Sequence, residues 1–430
     1  MHLLRRASAA FIFFSAGRML GYVLQVFLAR LAGPAIYGTY TFSLGVVTLI
    51  AVFASLGYTN SMVRFVPESF GSGRYPEMRG FLKLAYRTTV LSGLALAVLT
   101  FVIFLALPAQ FHPLAAALFA LTLPLTALLE YTSQVSRSVG NMTTAVIPNT
   151  ILRPLANILL VVILYEVQGA LNLSLIALSI VGANGLALAG FKWVLPARTR
   201  IWEKYKPAYL QRKKWRRVSM SMLRMVGFQT ILGQTDIVVI GLFISPTAAG
   251  LYGVGMKIAV LAGFVFMAVN QVYAPSISST FARGETSQLQ KELTKASTIT
   301  FIPSVLIAFL LYFASSALLL VFGPQFQLAR GVLDILLLGQ VVNAATGPVS
   351  YVLSLTGNHK ASTRIYGVTS GLNLLGCYVA AKHFGTMEAV AWVSTASMIF
   401  SNVWMHITVA RRLRVWPSIL GNLKGLPRRA

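Results

Sequence analysis

Arg18, Arg153, Asp236 and Lys257 lie deep inside long apolar runs, where a charge is costly and usually faces a bundle interior or a wet cavity. Arg18 falls about ten residues into its run, about 15 Å deep at 1.5 Å per helical residue. No acid lies at its depth in the neighbouring runs. A cation so placed, with access to water, suits an anionic ligand such as a phosphate or pyrophosphate. Gln25, two turns further along, is a candidate lining residue of the same site. Asp236 precedes and Lys257 follows the turn Ser245-Pro246-Thr247 at similar distances. The arms of a helical hairpin would bring them to nearly equal depth, so a pair is expected. It would be either a structural neutralisation or a switch that a substrate anion or a proton can open. Glu130 and Arg153, which is followed by Pro154 and preceded by Pro148, are expected to pair in the same way toward the opposite end. Asp334 beside Arg330 reads as interfacial.

Other chemistry finds no footing. His2, His112, His359, His383 and His406 are scattered without metal-ligand spacing, and the single Cys377 permits no disulfide within the chain. The glycine cluster Gly250-Leu-Tyr-Gly-Val-Gly255 lacks the preceding strand and the spacing of a nucleotide-binding loop. No nucleophile–base constellation is present. A catalytic residue, a metal and a cofactor are therefore not expected, while coupling to H+ or Na+ stays open.

The elements that must hold these charges are membrane spans. Of the 430 residues 56% are hydrophobic and 11% charged, against about 25% charged in soluble domains. Apolar runs of about 20 residues recur, the length that crosses a hydrocarbon core of about 30 Å as a helix. Their positions, approximately 8–31, 39–62, 84–107, 114–135, 146–165, 171–194, 220–244, 250–274, 296–320, 331–354, 361–380 and 386–409, predict about 12 transmembrane helices. Arg5 and Arg6 before an apolar stretch imitate a signal peptide, but the pattern resumes past Arg18 to Leu31, so a retained first helix is expected.

The formal charge of +26 is distributed by side. Arg5, Arg6, Arg74, Arg79, Lys83, Arg137, Arg283, Lys291, Lys360 and the tail fall on one side with the basic linker between Arg198 and Arg217. Only Arg30, Arg330 and Lys382 fall on the other. That asymmetry predicts cytoplasmic termini, with linker and tail set against anionic lipid rather than nucleic acid. The chain also repeats itself. Gly33-Pro34-Ala35, Gly38 and Tyr40 return as Ser245-Pro246-Thr247, Gly250 and Tyr252. Gly140-Asn141 returns as Gly357-Asn358, and Asn157 as Asn373. An even number of spans per copy gives parallel repeats, with a site expected between the halves. The predicted fold is an all-α polytopic membrane protein, two parallel-repeat six-helix lobes around a central cavity. The expected divisions are an N-terminal lobe (1–195), a basic cytoplasmic linker (196–219), a C-terminal lobe (220–410) and a basic tail (411–430).

The run Leu28-Ala-Arg-Leu-Ala-Gly-Pro-Ala-Ile-Tyr-Gly-Thr-Tyr40, with Leu56-Gly57 and Arg64-Phe65, resembles the Wzx-type polysaccharide and oligosaccharide flippases. These belong to the multidrug/oligosaccharidyl-lipid/polysaccharide exporter superfamily. Asp236-Ile-Val-Val-Ile-Gly241 and Ala249-Gly-Leu-Tyr252 agree with it. The resemblance implies a V-shaped pair of lobes in a bacterial or archaeal cytoplasmic membrane. It implies movement of polyprenyl-pyrophosphate-linked oligosaccharide by alternating access, with polysaccharide polymerase machinery as a partner. Arg18, Lys257, Arg153 and Gln25 would then meet the substrate, and Asp236, with Glu130, would serve ion coupling or pairing. A cation-coupled exporter of drug-like molecules on the same fold is the alternative. A membrane glycan polymerase or ligase fits less well, because the outer loops are very short.

Overall fold

A computed structural model describes residues 2–107, 111–194 and 204–419, and every regular element among them is helical. Arg198 and Arg200 of the linker, and the tail beyond residue 419, lie outside the described residues, as do the side chains of Arg5 and Arg6. The chain forms two compact units, Met1–Thr230 and Ile231–Ala430.

The first unit begins with α1 (His2–Ala54), interrupted at Gly33, whose φ of 71° and ψ of 170° leave the helical region. Pro34 follows, withdrawing a backbone donor and disfavouring helix in the residue before it. A left-handed φ there suits glycine, which has no Cβ to clash. Contacts across the break give its sense. Gln25 and Tyr40 are 15 residues apart and 3.0 Å from each other. In a straight helix they would be about 22 Å apart along the axis, so the two arms fold back on one another. After α2 (Tyr58–Gly71) and α3 (Tyr75–Leu105) comes α4 (Pro113–Ser138), which packs against α3. A short α5 (Met142–Val146) runs into a π-helical turn, Ile147–Leu152, and then α6 (Arg153–Gln168) and α7 (Leu173–Val194). The π-turn contains Pro148 and is followed within two residues by Pro154. Each proline removes an intrahelical hydrogen bond and crowds the preceding turn, so the backbone widens locally.

The second half of the basic linker is not linker. α8 (Arg212–Phe243) starts at Arg212, because Trp215 and Val218 continue an apolar spacing that the surrounding cations mask. Trp215 is buried in the first unit among Tyr58, Met62, Phe65 and Phe81, its ring 5.4 Å from that of Phe81 and edge-on to it. Truncating a buried tryptophan forfeits both transfer energy and packing. Trp215→Ala is therefore expected to destabilise the chain by about 3–5 kcal/mol, read as a lower thermal midpoint in detergent. A variant as heat-stable as its parent would remove Trp215 from the core.

The second unit continues α8 from Ile231 and adds α9 (Pro246–Ala259), a 3-10 turn and α10 (Phe264–Ala282). It proceeds through α11 (Thr286–Phe313), α12 (Ser315–Phe322), α13 (Arg330–Thr346) and α14 (Val349–Leu355) to α15 (His359–Phe384) and α16 (Met387–Leu413). The start of the expected tail is folded back on α11. The Gln290 amide donates to the Trp416 carbonyl at 3.0 Å and accepts from its N–H at 2.7 Å, and Val415 is buried with Leu289 and Leu293.

Among the described residues nine helical segments are long and apolar enough to cross a membrane. The first of them, Ala16–Ala54, contains both arms of α1. α15 and α16, of 26 and 27 residues, are long enough as well but more polar. Large apolar side chains lie exposed along one face of several helices, as on α3 (Leu91, Val98, Val102) and α11 (Ile302, Leu306, Phe309). In water such faces would drive association; in a bilayer they are the lipid contact.

Candidate functional site

Each unit carries a buried polar cluster built on a tyrosine that occupies the same place in the repeat. In the first unit the Tyr37 hydroxyl donates to Gln25 Oε1, and Gln25 Nε2 donates to the Tyr40 hydroxyl, both at 3.0 Å. Tyr37 and Tyr40 are fully or almost fully buried, so the amide is clamped by two rings from the other arm of α1. Arg153, the first residue of α6 after the π-turn, interacts electrostatically with Tyr40 and with Glu130. It forms no ion pair within 4.0 Å: the four ion pairs of the described residues are Arg74 with Glu68 and with Glu77, Lys214 with Glu68, and Arg283 with Glu285. Glu130 instead accepts from Gln134 Nε2 at 2.8 Å, one turn along α4. A direct Glu130–Arg153 bridge is thus replaced by longer-range attraction.

Arg18 is exposed on α1, next to a close helix contact. A Cβ added to Gly17 would lie 2.2 Å from the Thr150 carbonyl oxygen in the π-turn. A Cβ at Gly21 would meet nothing within 4 Å, so only the first glycine of the Gly-x-x-x-Gly spacing packs against a helix.

In the second unit Asp236 is 5% exposed. Tyr252 donates to its Oδ2 at 2.6 Å, Ser394 of α16 donates to the same oxygen at 3.4 Å, and the Ile237 N–H lies 3.0 Å from Oδ1. Cys377 stands beside Ser394 at 3.8 Å and donates weakly to Asn373 Oδ1 at 3.7 Å. Asn373 is fully buried, and its Nδ2 has no hydrogen-bond partner among the described residues. Asp236 and Lys257 make no ion pair. Lys257 follows Tyr252 by five residues on α9, about 140° further round the helix. The face that brings Tyr252 to the carboxylate turns Lys257 elsewhere, where it is partly buried.

The two clusters share a plan beyond their tyrosines. Asn157 on α6 accepts from Ser179 of α7 at 2.9 Å, as Asn373 on α15 belongs to the chain that reaches Ser394 of α16. What differs is the group under the tyrosine, an amide in the first unit and a carboxylate in the second. Among the described residues the partners of Asp236 are an aromatic hydroxyl, a serine hydroxyl and a backbone N–H, with no cation. A carboxylate in such company can take up a proton or a monovalent cation. Gln25 and Asp236 were candidates from the sequence, and the repeat of Tyr40 as Tyr252 and of Asn157 as Asn373 pointed to their surroundings, whereas Ser394 and Cys377 carry no charge and no motif.

A family model for polysaccharide biosynthesis proteins matches residues 3–281, more than half of the chain, and the chain belongs to that family. The model MatE matches residues 222–379. No curated relative matches the chain. Among solved structures, an inward-facing multidrug resistance MATE family transporter of the MOP superfamily is similar with a TM-score of 0.77 and 12% identity, over 94% of this chain and 99% of that one. The lipid II flippase MurJ in an inward closed conformation gives 0.72 and 14%, over 93% of this chain and 87% of that one. A MOP superfamily transporter from Pyrococcus furiosus, described with a binding pocket of reverse polarity, gives 0.65 and 14%, over 94% and 95%. The fold is that of this superfamily, as the motifs around Gly33 and Asp236 implied. The chain is a multi-pass membrane protein of the transporter type, not an enzyme.

Proposed function

We propose that the protein is a flippase. It moves polyprenyl-pyrophosphate-linked oligosaccharide across the cytoplasmic membrane by alternating access, for export of a surface polysaccharide, with both termini cytoplasmic. The observation that carries this reading is the match to polysaccharide biosynthesis proteins over residues 3–281. Arg153 supports it: a guanidinium beside Tyr40 whose nearby acid, Glu130, is engaged by Gln134 suits the phosphates of such a carrier. Arg18 and Lys257 are proposed to meet the same anionic groups, and Gln25 to hold the tyrosines in place beside them.

A second reading is favoured by one observation, the MatE match that spans Asp236 together with the cation-free surroundings of that carboxylate. In it the protein is a cation-coupled exporter of small molecules. Deleting the gene and complementing it separates the two. The flippase predicts loss of surface glycan, restored by the parent chain. Arg18→Ala, Arg153→Ala and Lys257→Ala would restore it about tenfold or more less well, since each deletes a charged hydrogen-bonding group worth about 1.5–3 kcal/mol. Normal glycan with all three variants at equal protein level, or a deletion that alters only drug tolerance, would overturn the flippase.

A further inference from the structure

A cavity of about 420 Å³ opens on the first unit, between α3 and the junction of the linker with α8, lined by Leu84, Arg87, Thr88, Leu91, Tyr209 and Arg212. Its two ends differ in chemistry. At one end Arg87 and Arg212 are exposed cations that line the cavity with Tyr209, and neither takes part in an ion pair of the described residues. Two acids of the neighbouring elements are occupied. Glu68 faces Arg74 at 3.4 Å and Lys214 at 3.6 Å, and Glu77 faces Arg74 at 3.6 Å and accepts from Gln211 at 2.7 Å. Arg212 also opens the 32-residue α8, whose first N–H groups and dipole favour an anion there.

At the other end the wall is hydrocarbon. Arg87 is the last charged residue of α3, and beyond it Leu91 and Val98, 63% and 64% exposed, begin an apolar stripe that continues through Val102. Arg87 therefore marks the level at which the polar zone gives way to the bilayer core. The arginines are held at that level by a strap. The Ala208 N–H donates to the Pro76 carbonyl at 2.9 Å, Tyr205 stacks on Tyr75 with ring centroids 5.2 Å apart, and Arg79 donates to the Tyr205 carbonyl. Trp215, one turn past Arg212, locks the start of α8 into the core.

We infer that this cavity is a site for an anionic glycerophospholipid. Arg87, Arg212 and the α8 N-terminus take the headgroup phosphate, and one acyl chain lies along Leu91, Val98 and Val102. Two cations without an ion pair among the described residues select the anionic headgroup. The continuous apolar stripe selects a lipid over a free phosphate. The inference is independent of what the protein transports.

The test uses the full chain in detergent, with lipid binding followed by native mass spectrometry. Phosphatidylglycerol is expected to bind at least about tenfold more tightly than phosphatidylcholine of the same acyl chains. The double variant Arg87→Ala/Arg212→Ala is expected to weaken phosphatidylglycerol about thirtyfold, as the loss of two interfacial cations should, while Arg330→Ala leaves it unchanged. Leu91→Asn is expected to weaken it as well, and inorganic phosphate at millimolar concentration is expected not to displace it. Equal binding of the two lipids by the parent chain overturns the inference, and that comparison stands even if the double variant does not fold. Displacement by inorganic phosphate overturns the assignment to a lipid. Unchanged binding in a folded double variant overturns the assignment to these arginines.

Discussion

Asp236→Asn is expected to remove most transport while leaving the protein folded in the membrane. The amide oxygen can take the place of Oδ2 and accept from the Tyr252 and Ser394 hydroxyls, giving up only the Ile237 N–H contact, and the side chain has nearly the same volume, so the packing around α8, α9 and α16 is preserved. What it loses is the negative charge. A buried carboxylate surrounded by hydroxyls and an N–H, without a cation within ion-pair distance, is far costlier than the amide unless its charge is used. Asp236→Asn should then be at least as heat-stable as the parent and yet export glycan at a small fraction of the parent rate. Asp236→Ala should add a stability loss of about 1–3 kcal/mol, because the buried Tyr252 hydroxyl is left without its acceptor. Tyr252→Phe, which removes the 2.6 Å donor but keeps the carboxylate, should fall between the two in activity. Export is measured as surface glycan per unit of protein, and stability as the thermal midpoint of the purified chain. Full export by Asp236→Asn would reduce the carboxylate to a structural acceptor and end its role in coupling.

The contrast between depth and direction explains how much of this site could be read in advance. Apolar run length set the helices, because backbone groups in lipid must pair within the segment, and Gly33-Pro34 marked the first reversal. The distance of Asp236 and Lys257 from their turn placed both on one helical hairpin. Which neighbour each side chain meets depends on rotation about the helix axis, and a single-sequence pattern does not fix that rotation when nearly every residue is apolar. Asp236 therefore meets Tyr252 and Ser394 rather than Lys257. Glu130 failed as a direct partner of Arg153 for a related reason, since Gln134 lies one turn away on the same helix and competes for it. In the expected linker the obstacle is of another kind. Its cations hid Trp215 and Val218, two apolar residues on one face, and these continue α8 back to Arg212. The legible part of the clusters was the polar group at the centre of each, Gln25 and Asp236, and what the chain says twice, Tyr40 with Tyr252 and Asn157 with Asn373.

Gly17→Val is expected to be as damaging to transport as the loss of either neighbouring cation, and for a reason that charge does not explain. A Cβ at residue 17 would sit 2.2 Å from the Thr150 carbonyl oxygen and 2.3 Å from its Cγ2, far inside contact distance. Neither side can yield cheaply. α1 is tied to its own second arm through Gln25, Tyr37 and Tyr40, and Thr150 belongs to a π-turn set between Pro148 and Pro154. Forcing groups into such a contact costs about 1–3 kcal/mol for each modest insertion, so alanine should lower the thermal midpoint and valine should lower it further. The same displacement reaches function because Arg18 is the next residue along α1 and Arg153 begins the helix that leaves the π-turn. Transport by Gly17→Ala should fall by more than the fraction of protein lost, since both cations shift from their places. Gly21→Ala is the matched control: it adds the same methyl where nothing lies within 4 Å, and alanine is the better helix former by about 1 kcal/mol. It should be as stable as the parent or more so, with unchanged export. Equal midpoints and equal export for the two alanine variants would show that the approach of α1 to the π-turn positions neither arginine.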